Sequence, residues 1–210
     1  TITIDDITKP ALTAVADRNE NVGAACSFTI PDYTGLTTAA DNCTAVGSIV
    51  KTQSPATGTV ISGHNTPQLI TITANDGNGN TNTTTFTITL KDITKPVITC
   101  PPPVLTANTN SDAPGNCTTT VNLGTPTATD NCTTSGNFTF TAKVGVTTIN
   151  PATYPFLTGN TTVVWTATDQ AGNVSSSCNQ IVTVIDNENP TVTAAPNVIT
   201  TTSADGTGNC

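Results

Sequence analysis

Seven cysteines, one histidine and fourteen acidic side chains hold most of the chemistry open to this 210-residue chain. The cysteines stand at 26, 43, 100, 117, 132, 178 and 210, with no C-x-x-C pair among them. With a single imidazole beside them, that spacing disfavours zinc and thioredoxin-type chemistry and favours disulfides formed in an oxidising compartment. The odd number leaves one over. His64, in SGHNTPQ, is the only imidazole and reads as a plain loop histidine, since it has no counterpart elsewhere in the chain and a catalytic triad would have to be assembled once in a repeating sequence. No paired carboxylates recur at a spacing suited to acid–base work, so the chain is expected not to be an enzyme.

The composition narrows the classes further. Charged residues make up 10% of the chain, against roughly 25% in ordinary soluble domains, so the polar surface is built from neutral side chains. Thr supplies roughly a quarter of all residues, and Thr is a β-branched strand former that tolerates the solvent face. The formal net charge is -8, with six Lys and Arg in total, which lacks the cationic footprint a phosphate backbone requires. Nucleic acid is therefore not expected as a partner. No stretch approaches the length of a membrane span, and no basic-then-apolar start resembles a secretory signal.

The elements that position these residues emerge from an internal repeat. The segments TITIDDITKP (1 to 10), TITLKDITKP (87 to 96) and VTVIDNENP (182 to 190) place Pro10, Pro96 and Pro190 at equivalent points, a domain-sized period of about ninety residues. Within it, AADNC43 matches ATDNC132, and TANDGNGN (73 to 80) matches TATDQAGN (166 to 173). The expected organisation is a last strand of a preceding unit at 1–5, a first repeat at 6–91, a second at 92–185, and the start of a third at 186–210. On this register Cys26, Cys117 and Cys210 are equivalent, as are Cys43 and Cys132. Cys100 and Cys178 occur only in the second repeat, and Ala14 and Thr84 replace both together in the first. That joint replacement points to the pairing Cys26–Cys43, Cys117–Cys132 and Cys100–Cys178. Cys210 would then find its partner beyond the end of this chain. A bridge closing about 15 residues, as Cys117–Cys132 would, contributes on the order of 3 kcal/mol.

Strand patterns predict an all-β fold of tandem immunoglobulin-like sandwiches. Val163, Trp165 and Ala167 alternate onto one face of TTVVWTATD, and Ile70, Ile72 and Ala74 do the same between Leu69 and Asp76. Trp165 and Ile72 are accordingly assigned to the core. On the closing strand the even positions face inward: Phe86, Ile88 and Leu90 in the first repeat, Cys178, Val182 and Val184 in the second. DGNGN and DQAGN between these strands read as turns rich in residues that accept positive φ.

Taken together, D-x-x-x-P at the boundary, Cys100-Pro101, ATDNC132, TATDQAGN, Cys178 and VTVID resemble the hyalin repeat, or HYR, module. The resemblance covers the whole chain. It implies an immunoglobulin-like fold and a place in extracellular adhesion. Long Thr- and Asn-rich arrays poor in charge also resemble the giant cell-surface adhesins of Bacteroidota, including the SprB-type gliding adhesins exported by type IX secretion. The first repeat departs from the module by lacking the cysteines at positions 14 and 84.

Calcium is the cofactor in question. Asp186-Asn-Glu-Asn-Pro190 resembles the linker of cadherins, in which clustered oxygens bind hard cations. The resemblance implies Asp6, Asp92, Asp186 and Glu188 as ligands at the junctions, with Asp5 beside them. LKDITKP carries one acidic residue, too few for six to eight oxygens unless Asp76 or Asp169 reaches across. The competing reading is that these aspartates cap turns while proline stiffens the linker.

The leading functional reading is a stalk: a structural segment of a large extracellular cell-surface adhesin that bears tension and projects a distal binding region. Its partners would be neighbouring repeats of its own chain and, through the distal region, other surfaces. The alternatives are a calcium-rigidified, cadherin-like ectodomain and a spacer beside a secreted enzyme. With Cys100–Cys178 spanning the second repeat, that repeat would be nearly inextensible, whereas the first would pay out roughly 200 Å or more when pulled.

Overall fold

A computed structural model describes residues 1–109, 117–189 and 192–197. The chain is all-β, two immunoglobulin-like sandwiches in tandem, with two short 3-10 turns and no α-helix among the described residues. No described helix is long and apolar enough to cross a membrane.

The first sandwich begins with β1 (Ala11–Leu12), β2 (Arg18–Asn21), β3 (Ser27–Thr29) and β4 (Ala39–Ala40). It continues through β5 (Val50–Ser54), β6 (Val60–Ser62), β7 (Pro67–Asn75) and β8 (Thr81–Lys91). One layer runs β2-β8-β7-β5, with β2 parallel to β8; the pairs β3-β6 and β1-β4 supply the rest. The second sandwich repeats this plan. Its strands are β9 (Val97–Thr99), β10 (Val104–Asn108), β11 (Thr118–Thr120), β12 (Thr127–Thr129), β13 (Thr139–Val144), β14 (Thr147–Ile149), β15 (Pro155–Leu157), β16 (Gly159–Thr168) and β17 (Cys178–Ile185). Its main layer runs β10-β17-β16-β13-β14, again with the early strand β10 parallel to the closing strand.

Alternation sets the cores. Ile70, Ile72 and Ala74 on β7 and Ile88 and Leu90 on β8 are wholly buried, with Phe86 nearly so. Val163, Trp165 and Ala167 on β16 and Val182 and Val184 on β17 fill the second core, joined by Phe156. A two-residue period explains all of these, because each strand shows one face to the opposing layer. Residues 1–5, expected as a last strand, pair with nothing among the described residues. Ile2 and Ile4 are both 92% exposed, with no opposing layer among the described residues to cover them.

The disulfides correct the expected pairing in two places. Cys100–Cys178 forms as expected, with Cα atoms 5.8 Å apart. Cys26, however, bonds Cys132 across the two sandwiches, with a Cα separation of 4.9 Å, and Cys43 and Cys117 are free and exposed. Neither Cys26–Cys43 nor Cys117–Cys132 exists. The reason is strand direction. The Cys26 carbonyl accepts from Gly63 N–H, beside the Leu90 end of β8, where the first sandwich meets the second. Cys43 sits at the opposite pole, where Thr44 Oγ1 donates to the Asp76 carbonyl just past the end of β7. The nine residues of β7 separate those poles by about 26 Å, whereas a disulfide tolerates Cα separations of about 4.4–6.8 Å. Cys117 and Cys132 are divided in the same way: the Cys117 carbonyl accepts from Thr158 N–H, at the start of β16, while Cys132 lies beyond the other end. The expected 200 Å extension of the first repeat falls with its premise, because the Cys26–Cys132 bridge bypasses the chain from 27 to 131. Cys210 lies outside the described residues.

Candidate metal centre at the leading pole of each sandwich

Two groups of three aspartates stand at equivalent places in the two sandwiches: Asp6, Asp41 and Asp76, and Asp92, Asp130 and Asp169. Within each group one carboxylate oxygen from every member lies within 4.8 Å of the others. Each aspartate is held by its own local turn. Asp6 accepts from Thr8 N–H at 3.1 Å, and Asp92 accepts from Thr94 N–H at 3.0 Å, so the D-x-T segment folds back on its own carboxylate.

The second ligand comes from the D-N-C turn. Asp41 Oδ1 accepts from the N–H groups of Cys43 and Thr44 at 3.0 and 3.1 Å. Asp130 Oδ2 accepts from Cys132 and Thr133, both at 2.9 Å. One oxygen of each side chain is thus spent on the turn, and the other is aimed away from it.

The third comes from the hairpin turns after β7 and β16. Asp76 accepts from the backbone N–H of Asn78 and Asn80 and, at 2.6 Å, from Asn80 Nδ2. Asp169 accepts from Asn173 N–H at 2.8 Å and Nδ2 at 2.9 Å. The same asparagine amides also reach the first aspartate's backbone: Asn80 Nδ2 to the Asp6 carbonyl at 3.0 Å, Asn173 Nδ2 to that of Asp92 at 3.3 Å. Desolvation works against charge on Asp76, but the Asn80 amide and the backbone donors of Asn78 and Asn80 outweigh it and hold its carboxyl below the usual range. It is ionised at neutral pH.

Each of these geometries serves turn capping, but capping leaves a remainder. Asp92 is 4% exposed, and its Oδ2 has no hydrogen-bond partner; Asp130 Oδ1 and Asp41 Oδ2 are likewise buried and unpartnered. Leaving such an acceptor unmade costs roughly 1–3 kcal/mol, and more when it is charged. No cationic side chain offsets them, since the one salt bridge among the described residues joins Arg18 to Glu20. An all-oxygen donor set without imidazole or thiolate suits a hard divalent cation.

Of the ligands expected from sequence, the structure therefore brings Asp6 and Asp92 into clusters, and Asp76 and Asp169 reach across from the hairpin turns to join them. Asp5 joins no cluster among the described residues. Asp186 Oδ1 accepts from Glu188 N–H at 3.0 Å, the same fold-back as at Asp6 and Asp92, but neither Asp186 nor Glu188 meets a cluster among the described residues, and Pro190 lies outside them. Asp41 and Asp130 escaped the sequence reading. Their signal is nonetheless present in the sequence, because D-N-C recurs at the same register in both repeats, at 41–43 and 130–132.

The junction between the sandwiches carries further contacts. Asp92 N–H donates to His64 Nδ1 at 3.0 Å, so the lone histidine caps the linker. Asn131 Nδ2 donates to the Gly23 carbonyl at 3.0 Å, flanking the Cys26–Cys132 bridge.

No family model matches the chain, and no curated protein matches it. Among solved structures, it is similar to PcdhgB3 EC1-4 at 14% identity and a TM-score of 0.42, covering 86% of this chain and 50% of that one. It is also similar to mouse Cadherin-23 EC22-24 (16%, TM-score 0.36, 85% and 65% covered). A third is the fibronectin(III)-like modules of Clostridium thermocellum CbhA (15%, TM-score 0.32, 88% and 100% covered). The chain spans about half the length of the protocadherin chain it matches. Likeness at this level adds nothing to what the strand order already shows.

Proposed function

We propose that the chain is a structural segment of an extracellular cell-surface adhesin, a stalk of tandem sandwiches whose junctions are stiffened by calcium. The carrying observation is the recurrence of one aspartate triad at the leading pole of both sandwiches, with buried carboxylate oxygens that no protein donor satisfies. In the second triad the ligands span the junction, because Asp92 belongs to the linker while Asp130 and Asp169 belong to the body of the second sandwich. A cation held there fixes the linker to the sandwich that follows it. Three carboxylates supply part of the six to eight oxygens calcium takes, with carbonyls and water completing the shell. The HYR resemblance, the disulfides and the low charge all accord with an extracellular array of this kind, and the SprB-type gliding adhesins of type IX secretion remain the narrower form of the reading.

Calorimetry on the 210-residue chain tests the cation. Calcium is expected to bind at two sites, more tightly than magnesium, and to raise the melting temperature in a way a chelator reverses. Asp130→Asn keeps an oxygen for the Cys132 and Thr133 amides but removes the charge, so it is expected to weaken one site at least tenfold with the far-ultraviolet spectrum unchanged. Absence of calcium heat together with an unmoved melting temperature would remove the idea. Sedimentation separates the stalk from an ectodomain that pairs with copies of itself: a stalk stays monomeric in calcium, and a self-pairing ectodomain does not.

A further inference from the structure

The repeat puts Cys43 where Cys132 stands and Cys117 where Cys26 stands, and the structure makes these equivalences physical. Cys26 and Cys117 each lie immediately before a strand, β3 and β11, and each offers its carbonyl to a neighbouring N–H, Gly63 at 3.0 Å and Thr158 at 3.3 Å. Cys43 and Cys132 each close a D-N-C turn with the same pair of backbone hydrogen bonds to the aspartate. One member of each class is joined to the other across the junction, in the Cys26–Cys132 bridge. The remaining two, Cys43 and Cys117, are free, exposed and at opposite ends of the chain's two sandwiches. Asn131, beside Cys132, bonds the turn that carries Cys26, whereas its equivalent Asn42 reaches only Cys43 Sγ, at 3.2 Å.

We propose that Cys26–Cys132 is one link of a staggered disulfide chain that runs through an array of these sandwiches. In it, the cysteine preceding the third strand of each unit is bonded to the D-N-C cysteine of the unit that follows. Cys117 accordingly bonds the D-N-C cysteine of the next unit in the native polypeptide, and Cys43 bonds the cysteine of the preceding unit that corresponds to Cys26. Each link forms by thiol–disulfide exchange with a disulfide oxidant of the extracellular compartment. One cysteine thiolate attacks the oxidant's disulfide, and the second displaces the oxidant as its reduced dithiol. Two protons and two electrons leave the pair of thiols, and one S–S bond is gained. The tension path through such an array enters a unit at its D-N-C cysteine and leaves at the cysteine that precedes its third strand. Only the roughly 15 residues from 117 to 132 lie on that path, a limit of about 50 Å per unit even with every strand pulled apart.

The pairing is independent of the cation and is read in chelator, so failure of one proposal leaves the other standing. Maleimide labelling of the air-oxidised 210-residue chain under denaturing conditions counts its thiols. Three labels are expected, on Cys43, Cys117 and Cys210. One label on monomeric chain would mean that each unit closes its own cysteines, and would overturn the proposal. Peptide mapping of the unreduced native polypeptide then locates the partners. Cys117 is expected joined to a D-N-C peptide of another unit. Finding Cys43 and Cys117 alkylated, bonded to each other, or bonded within their own units overturns the chain.

Discussion

At the scale of single residues, Tyr33 shows how a side chain in an otherwise apolar core keeps one polar commitment. Its ring packs edge-on against Phe86 at 5.3 Å between centroids, and its hydroxyl donates to Glu20 Oε1 at 3.1 Å. Burial, then the bond to Glu20 and that carboxylate's charge, pushes its pKa up to about 12, with Arg18 opposing. The folded value lies above the ordinary tyrosine value of 10.0, so the neutral phenol contributes stability fully below pH 10 and loses it as pH rises through about 12. Between those values the wild-type protein is expected to lose stability relative to Tyr33→Phe in denaturant titrations. A constant difference between the two across that range would contradict the assignment. The alternating apolar residues were legible one by one, Trp165 and Ile72 among them, since periodicity alone decides their face. The roles of His64 and Asn131 were not, because each acts on a backbone group distant in sequence.

Among elements, β16 and β17 are tied to the opposite layer by a polar cross-piece. Gln180 is 1% exposed on the inner face of β17, where it accepts from Trp165 Nε1–H at 2.9 Å and donates to the carbonyls of Pro102 and Leu123, both at 2.8 Å. Gln180→Leu keeps roughly the same volume but leaves the Trp165 Nε1–H and the Leu123 carbonyl buried and unmade, while the freed Pro102 carbonyl lies at the exposed edge. The expected loss is about 2–4 kcal/mol in urea unfolding; a loss well under 1 kcal/mol would mean water replaces the amide. The strand parity that places Gln180 inward was readable, but a glutamine among valines carries no sign of which carbonyls it will meet. The same limit governed the cysteines. Joint replacement at positions 14 and 84 correctly joined Cys100 to Cys178, because those two lie across one sandwich. Proximity in sequence misled at Cys26 and Cys43, because the elements between them carry the chain from one pole to the other.

For the whole molecule, the ninety-residue period was the most legible feature, since boundary, turn and cysteine landmarks recur together in one order. What the period could not reveal was which landmarks face each other across a junction, a property of how two sandwiches abut and not of either alone. The aspartate triads illustrate it: their members come from three separated segments of each repeat, and only the antiparallel run of β7 or β16 brings the hairpin turn back beside the linker. The overlapping spans of Cys26–Cys132 and Cys100–Cys178 have a consequence for how the chain withstands proteolysis. Every peptide bond between Cys26 and Cys178 lies inside at least one closed covalent ring. A single cut anywhere in that stretch leaves one molecule, which would run intact on a denaturing gel and fall into two fragments only after reduction. Damage to one backbone bond would thus leave the thread whole.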